Sequence, residues 1–167
     1  MGIGYPAWIG DQWLVGGASN CGGRSLRQHF SDSELNELSR QIDPCRPLGL
    51  GYYPLPGVGE RCPYSDPGMQ PRMQPRPADR ATFQQANHEG IADVEAEGSA
   101  RLAELGAGYP ARVFSSGGGA INESWRKIRE RRLRLPVLRA AQTEAAYGAA
   151  LIARRAIRRR SATQLAE

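Results

Sequence analysis

Three consecutive glycines stand between a predicted strand and a predicted helix in Val113-Phe-Ser-Ser-Gly117-Gly118-Gly119-Ala-Ile-Asn122-Glu-Ser-Trp125. A turn of this kind exposes backbone N–H groups with no side chain in the way. The helix that follows adds the positive end of its dipole, so the spot suits a phosphate or the edge of a nucleotide. Glycine is required wherever the chain must pass close to a flat base or a ribose. Asn122 falls in the first turn, where its amide can cap the helix or face a ligand. Trp125 lies on the same side and is placed to cover an aromatic ring. The same residues would also make a tight strand-to-helix turn with a core tryptophan, and local physics does not separate the two readings. A second glycine segment, Gly16-Gly17-Ala18-Ser19-Asn20-Cys21-Gly22-Gly23, has the same strand-to-helix context. Two such segments in one domain would form opposite walls of a cleft, which favours a nucleotide. Neither segment is Gly-x-Gly-x-x-Gly or Gly-x4-Gly-Lys-Ser/Thr, so the dinucleotide fingerprint and the P-loop are both absent.

These segments need a core behind them, and 167 residues supply one domain with a single core. The hydrophobic fraction of 40% and the charged fraction of 23% are ordinary for a globular chain. No apolar run reaches the ~18 residues of a membrane span. The first residues carry neither a basic nor an apolar signal region, so the expected location is cytoplasmic. Cys21, Cys45 and Cys62 have no Cys-x-x-Cys spacing and read as free thiols. His29 and His88 have no partner at metal-ligand spacing and read as packed or surface histidines; no metal-ligating residue is assigned. Twelve of the 22 Arg and Lys stand between residues 126 and 160, against Glu130 and Glu144 alone. That concentration fits a nucleic-acid surface or a solvated helix face. Trp125, Ile128, Leu133 and Leu135 interleave with the arginines as a core face would, which favours the second.

The elements that would hold the glycine turns follow from periodicity. Gln12-Trp-Leu-Val-Gly-Gly reads as a short buried strand running into a helix over 24–30. Residues 31–42 form a second helix, capped by Ser31 or Asp32, with Leu35, Leu38 and Ile42 on one face and a stop at Asp43-Pro44. Residues 44–79 are a Pro- and Gly-punctuated surface segment, with a strand over Gly51–Leu55. A long helix over 78–105 carries a stripe of Ile91, Val94, Leu102 and Leu105. A strand over 112–116, the glycine loop, a helix over 120–133, a strand over 135–139 and a last helix capped by Thr143 complete the chain. That order indicates an α/β layered domain.

The run Phe114-Ser-Ser-Gly-Gly-Gly-Ala-Ile-Asn-Glu-Ser-Trp-Arg-Lys-Ile-Arg, then Leu135-Pro-Val and Thr143-Glu-Ala-Ala-Tyr-Gly-Ala-Ala-Leu, resembles the C-terminal signature of FGGY carbohydrate kinases. Trp13-Leu-Val-Gly-Gly-Ala-Ser-Asn-x-Gly-Gly and Gly59-Glu-Arg-Cys-Pro extend the resemblance, toward the D-ribulose kinases of cyanobacteria and plant plastids. The resemblance implies an actin-like, ribonuclease H-like ATPase fold: here its C-terminal domain, a mixed sheet with flanking helices over 1–160 and a tail over 161–167. It implies ATP/ADP and Mg²⁺, with a sugar hydroxyl attacking the γ-phosphate between two domains. Carried over by position, Gly118 and Gly119 approach the nucleotide, Asn122 contacts adenine or ribose, Trp125 packs on adenine, and Gly17 lines the phosphate side. Gly148 would let the last helix pack closely behind the site.

The family's N-terminal Asp-x-Gly-Thr-like loop has no match. Gly10-Asp11-Gln12 sits at the wrong place for the family's catalytic aspartate, so no catalytic residue is assigned. Phosphoryl transfer needs groups from both sides of the phosphate, so this half alone is expected to be inactive. The sugar is expected to bind only with an N-terminal half, and an exposed interdomain face is expected to promote self-association. Asn87 and His88 stand where the family usually has apolar helix residues. Two further readings remain: a catalytically inactive nucleotide-binding protein, and an Arg-rich nucleic-acid-binding protein.

Overall fold

A computed structural model describes residues 7–9 and 12–164. Strands β1 (Ala7–Ile9) and β2 (Gln12–Leu14) form an antiparallel pair. The short helix α1 (Gly23–Arg27) and α2 (Asp32–Ser39) follow. Helix α3 (Arg80–Leu102) is the longest, and passes into one π-helical turn over Ala103–Ala107. Strand β3 (Val113–Ser115), a 3₁₀ turn over Gly118–Ile121, α4 (Glu123–Leu133) and β4 (Val137–Arg139) make a β-turn-α-β unit. In it β3 and β4 pair in parallel, Val113 opposite Val137. Helix α5 (Ala145–Gln164) closes the described chain. Among the described residues no helix is long and apolar enough to cross a membrane. The Gly10-Asp11 pair lies outside the described residues.

Helix starts are set by side chains that satisfy orphan N–H groups. Ser31 Oγ accepts from the Glu34 N–H, while the Glu34 carboxylate accepts from the Ser31 N–H, a reciprocal box that opens α2. The Asp79 carboxylate accepts from the Thr82 N–H to open α3. Helix α4 stops at Arg134, whose left-handed φ of 57° precedes Pro136.

Helix α3 is the central element and is buried on most of its circumference from Ala81 to Ala92. Phe83 and Ala86 pack with Phe30 and Tyr52; Ala92 packs with Ile42 and Ile128; Val94 packs with Tyr53 and Leu55. Its polar residues are tied to neighbouring elements. Gln84 donates to Leu35 O and Ser39 Oγ on α2, and the Glu89 carboxylate accepts from the Leu48 N–H. Helix α4 is held by ion pairs between Glu89 and Arg131 (2.7 Å), Glu95 and Arg129 (2.5 Å), and Asp93 and Arg132. Arg126 pairs with Glu123 and Glu130 on its own helix. Much of the positive charge near residue 130 is therefore neutralised within the fold, as a helix face rather than a free basic surface.

Several sequence expectations are corrected here. Gly51–Leu55 is not a strand; Tyr53 makes a single bridge with Arg72. The π turn, with Gly106 at φ 95°, redirects the end of α3 and leaves Leu105 exposed instead of on a buried stripe. Helix α4 begins at Glu123, because the Gly118–Ile121 turn is 3₁₀ and Asn122 breaks from it in extended conformation. The strand over 12–17 is shorter and not buried: Trp13, Leu14 and Val15 are exposed, as are Phe114 and Leu138 on the other pair. Gly148 has open space around it and lies on an exposed stretch of α5, so it permits no close packing.

Candidate functional site

A cleft of about 450 Å³ opens between α1–α2 and the 3₁₀ turn with α4. That size lies within the ~300–1,000 Å³ usual for small-molecule sites. One wall is Gly118, Gly119, Ile121, Asn122 and Trp125; the other is Gly22, Gly23, Leu26, Arg27, Asp32, Leu35 and Asn36. His88 and Ile91 of α3 complete the lining. Four of the five residues read from the sequence, Gly118, Gly119, Asn122 and Trp125, thus meet in one place. Gly17 is exposed and is not part of these walls; Gly22 and Gly23 represent its segment instead.

The glycine wall is open by construction. Gly117 adopts φ 81°, where only glycine is unstrained, and its carbonyl accepts from the Ala120 N–H. Gly118 has no atom within 4 Å of where a Cβ would stand. At Gly119 a Cβ would lie 3.6 Å from Trp125 Nε1, so backbone and indole are in ordinary contact distance of one another.

Asn122 is the N-cap of α4. Its Oδ1 accepts from the Trp125 N–H at 2.9 Å, and its Nδ2 donates to Ser39 Oγ at 2.7 Å. Ser39 Oγ also accepts from Gln84 and donates to Leu35 O, so one hydroxyl joins α2, α3 and α4 beneath the cleft. A primary amide has two N–H groups. The cap occupies Oδ1 and the Ser39 bond one N–H, which leaves Asn122 one donor for a ligand and makes its first duty positional.

Trp125 is half-buried. It packs on the Ile42, Ala92 and Ile128 cluster, and the Arg129 guanidinium lies 5.4 Å from its ring centroid. Arg129 is fixed in turn by Glu95 and by Ser115 Oγ. His88 meets the indole with ring centroids 5.1 Å apart and a 39° tilt.

The opposite wall is braced from outside. Glu60 accepts from Ser19 Oγ, the Asn20 N–H, the Arg61 N–H and Tyr53 OH at 2.6 to 2.9 Å. Burial pushes this carboxyl up, but its four donors outweigh burial and hold it below the usual carboxylate range. The same burial and the Glu60 charge push the neighbouring Cys21 thiol up to about 12, so it is a protonated packing group. All three cysteines are free. Sequence reading missed Glu60 as a brace and His88 as a wall; only the Gly59-Glu-Arg-Cys-Pro run signalled the first.

The α/β domain thus carries an open cleft whose lining includes a glycine-backbone wall, an indole and a capping amide. The chain belongs to the FGGY family of carbohydrate kinases: the family's C-terminal domain matches residues 4–157. Its fold is similar to that of the ligand-bound xylulose kinase from Lactobacillus acidophilus, with a TM-score of 0.74 and 18% identity. The match covers 93% of this chain and 33% of that one. The expected C-terminal domain of the actin-like kinase fold is the fold observed.

Proposed function

We propose that this chain is the nucleotide-binding domain of an ATP-dependent sugar kinase, with ADP or ATP seated in the Gly118–Trp125 cleft. One observation carries the reading: a 450 Å³ cleft joins Gly118, Gly119, Asn122 and Trp125 with Gly22 and Gly23 on the facing wall. The residues fit the nucleoside part. Bare backbone at 118–119 admits a flat ring, the partly open indole offers a stacking partner, and Asn122 keeps one N–H for a polar edge.

When bound, ATP would supply the transferable phosphoryl group, and this chain's residues would bind and orient its nucleoside end. Gly17 remains the proposed neighbour of the phosphates, reached along the segment that Glu60 braces. Among the described residues no three His, Cys, Asp or Glu cluster as a metal site. Mg²⁺ is commonly held by the nucleotide phosphates with one or two carboxylates. The acceptor is a pentulose hydroxyl, D-ribulose by the resemblance of the Trp13–Gly23 and Gly59–Pro63 runs. Its activation belongs to a second domain, because no residue of this chain is assigned as the base. The exposed Trp13, Leu14, Phe114 and Leu138 support such a partner domain, or self-association in its absence.

Trp125→Ala is the direct test. ADP affinity should fall by ~1–2 kcal/mol, the usual worth of base–aromatic stacking. Calorimetric titration of the folded variant measures it, and an unchanged affinity would remove Trp125 from the site.

A further inference from the structure

We propose that His88 is a specificity-determining residue of this cleft, a neutral imidazole that hydrogen-bonds the polar edge of the bound purine. The inference rests on the nucleotide reading above and adds a residue to it. His88 is 3% exposed, lines the cleft and abuts the Trp125 indole. Its Nδ1 is buried with no hydrogen-bond partner. Leaving such a group unpaired costs its full desolvation, and native chains rarely carry that cost without a use. An aliphatic side chain would fill the same space among Ile91, Ala92 and Trp125 without it.

The chemistry suits a base and not a phosphate. Burial takes the His88 pKa down to about 4, so near neutral pH the ring carries no charge to attract an anion. A neutral imidazole offers one N–H donor and one nitrogen acceptor. A purine presents donors and acceptors along its edge, and a base packed against Trp125 would bring that edge beside the tilted His88 imidazole. Seating it requires a small shift of the indole, which is only half-buried.

The test uses the whole chain and two probes, ADP and inorganic tripolyphosphate, with His88→Leu and His88→Gln. In wild type, imidazole ¹⁵N resonances of His88 should move on adding ADP, while His29, outside the cleft, serves as the internal control. His88→Leu should fold at least as stably, since it removes the unpaired nitrogen, and should bind ADP about five- to tenfold more weakly, the loss of one neutral hydrogen bond. His88→Gln, which keeps a donor and an acceptor, should recover part of that loss. Tripolyphosphate, which has no base, should bind wild type and variants alike. Unmoved His88 resonances in a wild type that does bind ADP overturn the proposal, even if the variants fail to fold. Equal ADP affinity in His88→Leu, or an equal loss for tripolyphosphate, also overturns it while leaving the nucleotide reading standing. A wild type that binds no ADP sinks both.

Discussion

Gly118→Val should leave the fold intact and weaken ADP binding by about tenfold to a hundredfold. The substitution is chosen because the fold does not need this glycine and the ligand does. No protein atom lies within 4 Å of the position a Cβ would take, so a side chain can leave the backbone here without a clash at its first carbon. Gly117, with φ 81°, absorbs the turn's unusual backbone, and Gly118 does not share that need. By helix propensity a branched residue is no worse than glycine, so the 3₁₀ turn itself should not be weakened. The valine isopropyl group would stand where the nucleoside must pass. Forcing extra carbons into a filled space costs ~1–3 kcal/mol, which is the stated loss. A thermal melt beside an ADP titration checks both halves. Gly118→Ala should give the same pattern at smaller size. Full affinity in a folded Gly118→Val protein would place the ligand elsewhere.

Gly90→Ala should destabilise the protein by about 3 kcal/mol, although alanine is the better helix former by ~1 kcal/mol. Gly90 lies within α3, where Gly→Ala ordinarily stabilises. Here a Cβ would stand 2.6 Å from Tyr52 O and 2.9 Å from Pro54 Cδ. Atoms do not approach that closely, and Tyr52 O is backbone that no rotamer change can move. The loop must lift away from α3, and Tyr52, Pro54 and Leu55, all nearly fully buried, lift with it. For a domain of this size, 3 kcal/mol corresponds to a melting point lower by roughly 10 °C. A melting point equal to or above that of wild type would show that the loop does not press on the helix as described.

These two glycines show where the sequence was informative and where it was not. Gly117-Gly118-Gly119 announced itself, because a glycine run between strand and helix has few physical uses. The Ser31 cap and the strand–turn–helix–strand order of 112–139 were equally readable, each being local chemistry, whereas the helix that Ser31 opens ends at Ser39, short of the expected Asp43-Pro44 stop. Gly90 was not, since nothing near it in sequence tells that residues 52–54 lie against that face of the helix. Nor could periodicity place α3. A helix covered on most sides has polar residues inside, and Gln84, Asn87, His88 and Glu89 dilute the apolar stripe. Their partners, Ser39, Phe83 O, Leu48 and Arg131, are mostly distant in sequence.

The strand over 12–17 failed in the other direction. Trp13, Leu14 and Val15 carry the pattern of burial, but in this chain they face outward. An apolar pattern states that a surface is to be covered and not by what. Asn122 illustrates the limit within the site. Sequence allowed it to cap or to contact a ligand, and the structure spends most of its amide on the cap. The Gly148 expectation failed because it borrowed a packing role from the family, whereas α5 here has no neighbour against that residue.

The central claim is that adenosine sits in the cleft against the wall formed by Gly118, Gly119 and Trp125. Titration of ADP into the wild-type chain, followed by heat and by the fluorescence of Trp125 in a Trp8→Phe/Trp13→Phe background, tests it most directly. One site per chain with quenching or a spectral shift of that single indole is the predicted result. No heat and an unperturbed indole up to millimolar ADP, in a chain that melts cooperatively, would contradict it.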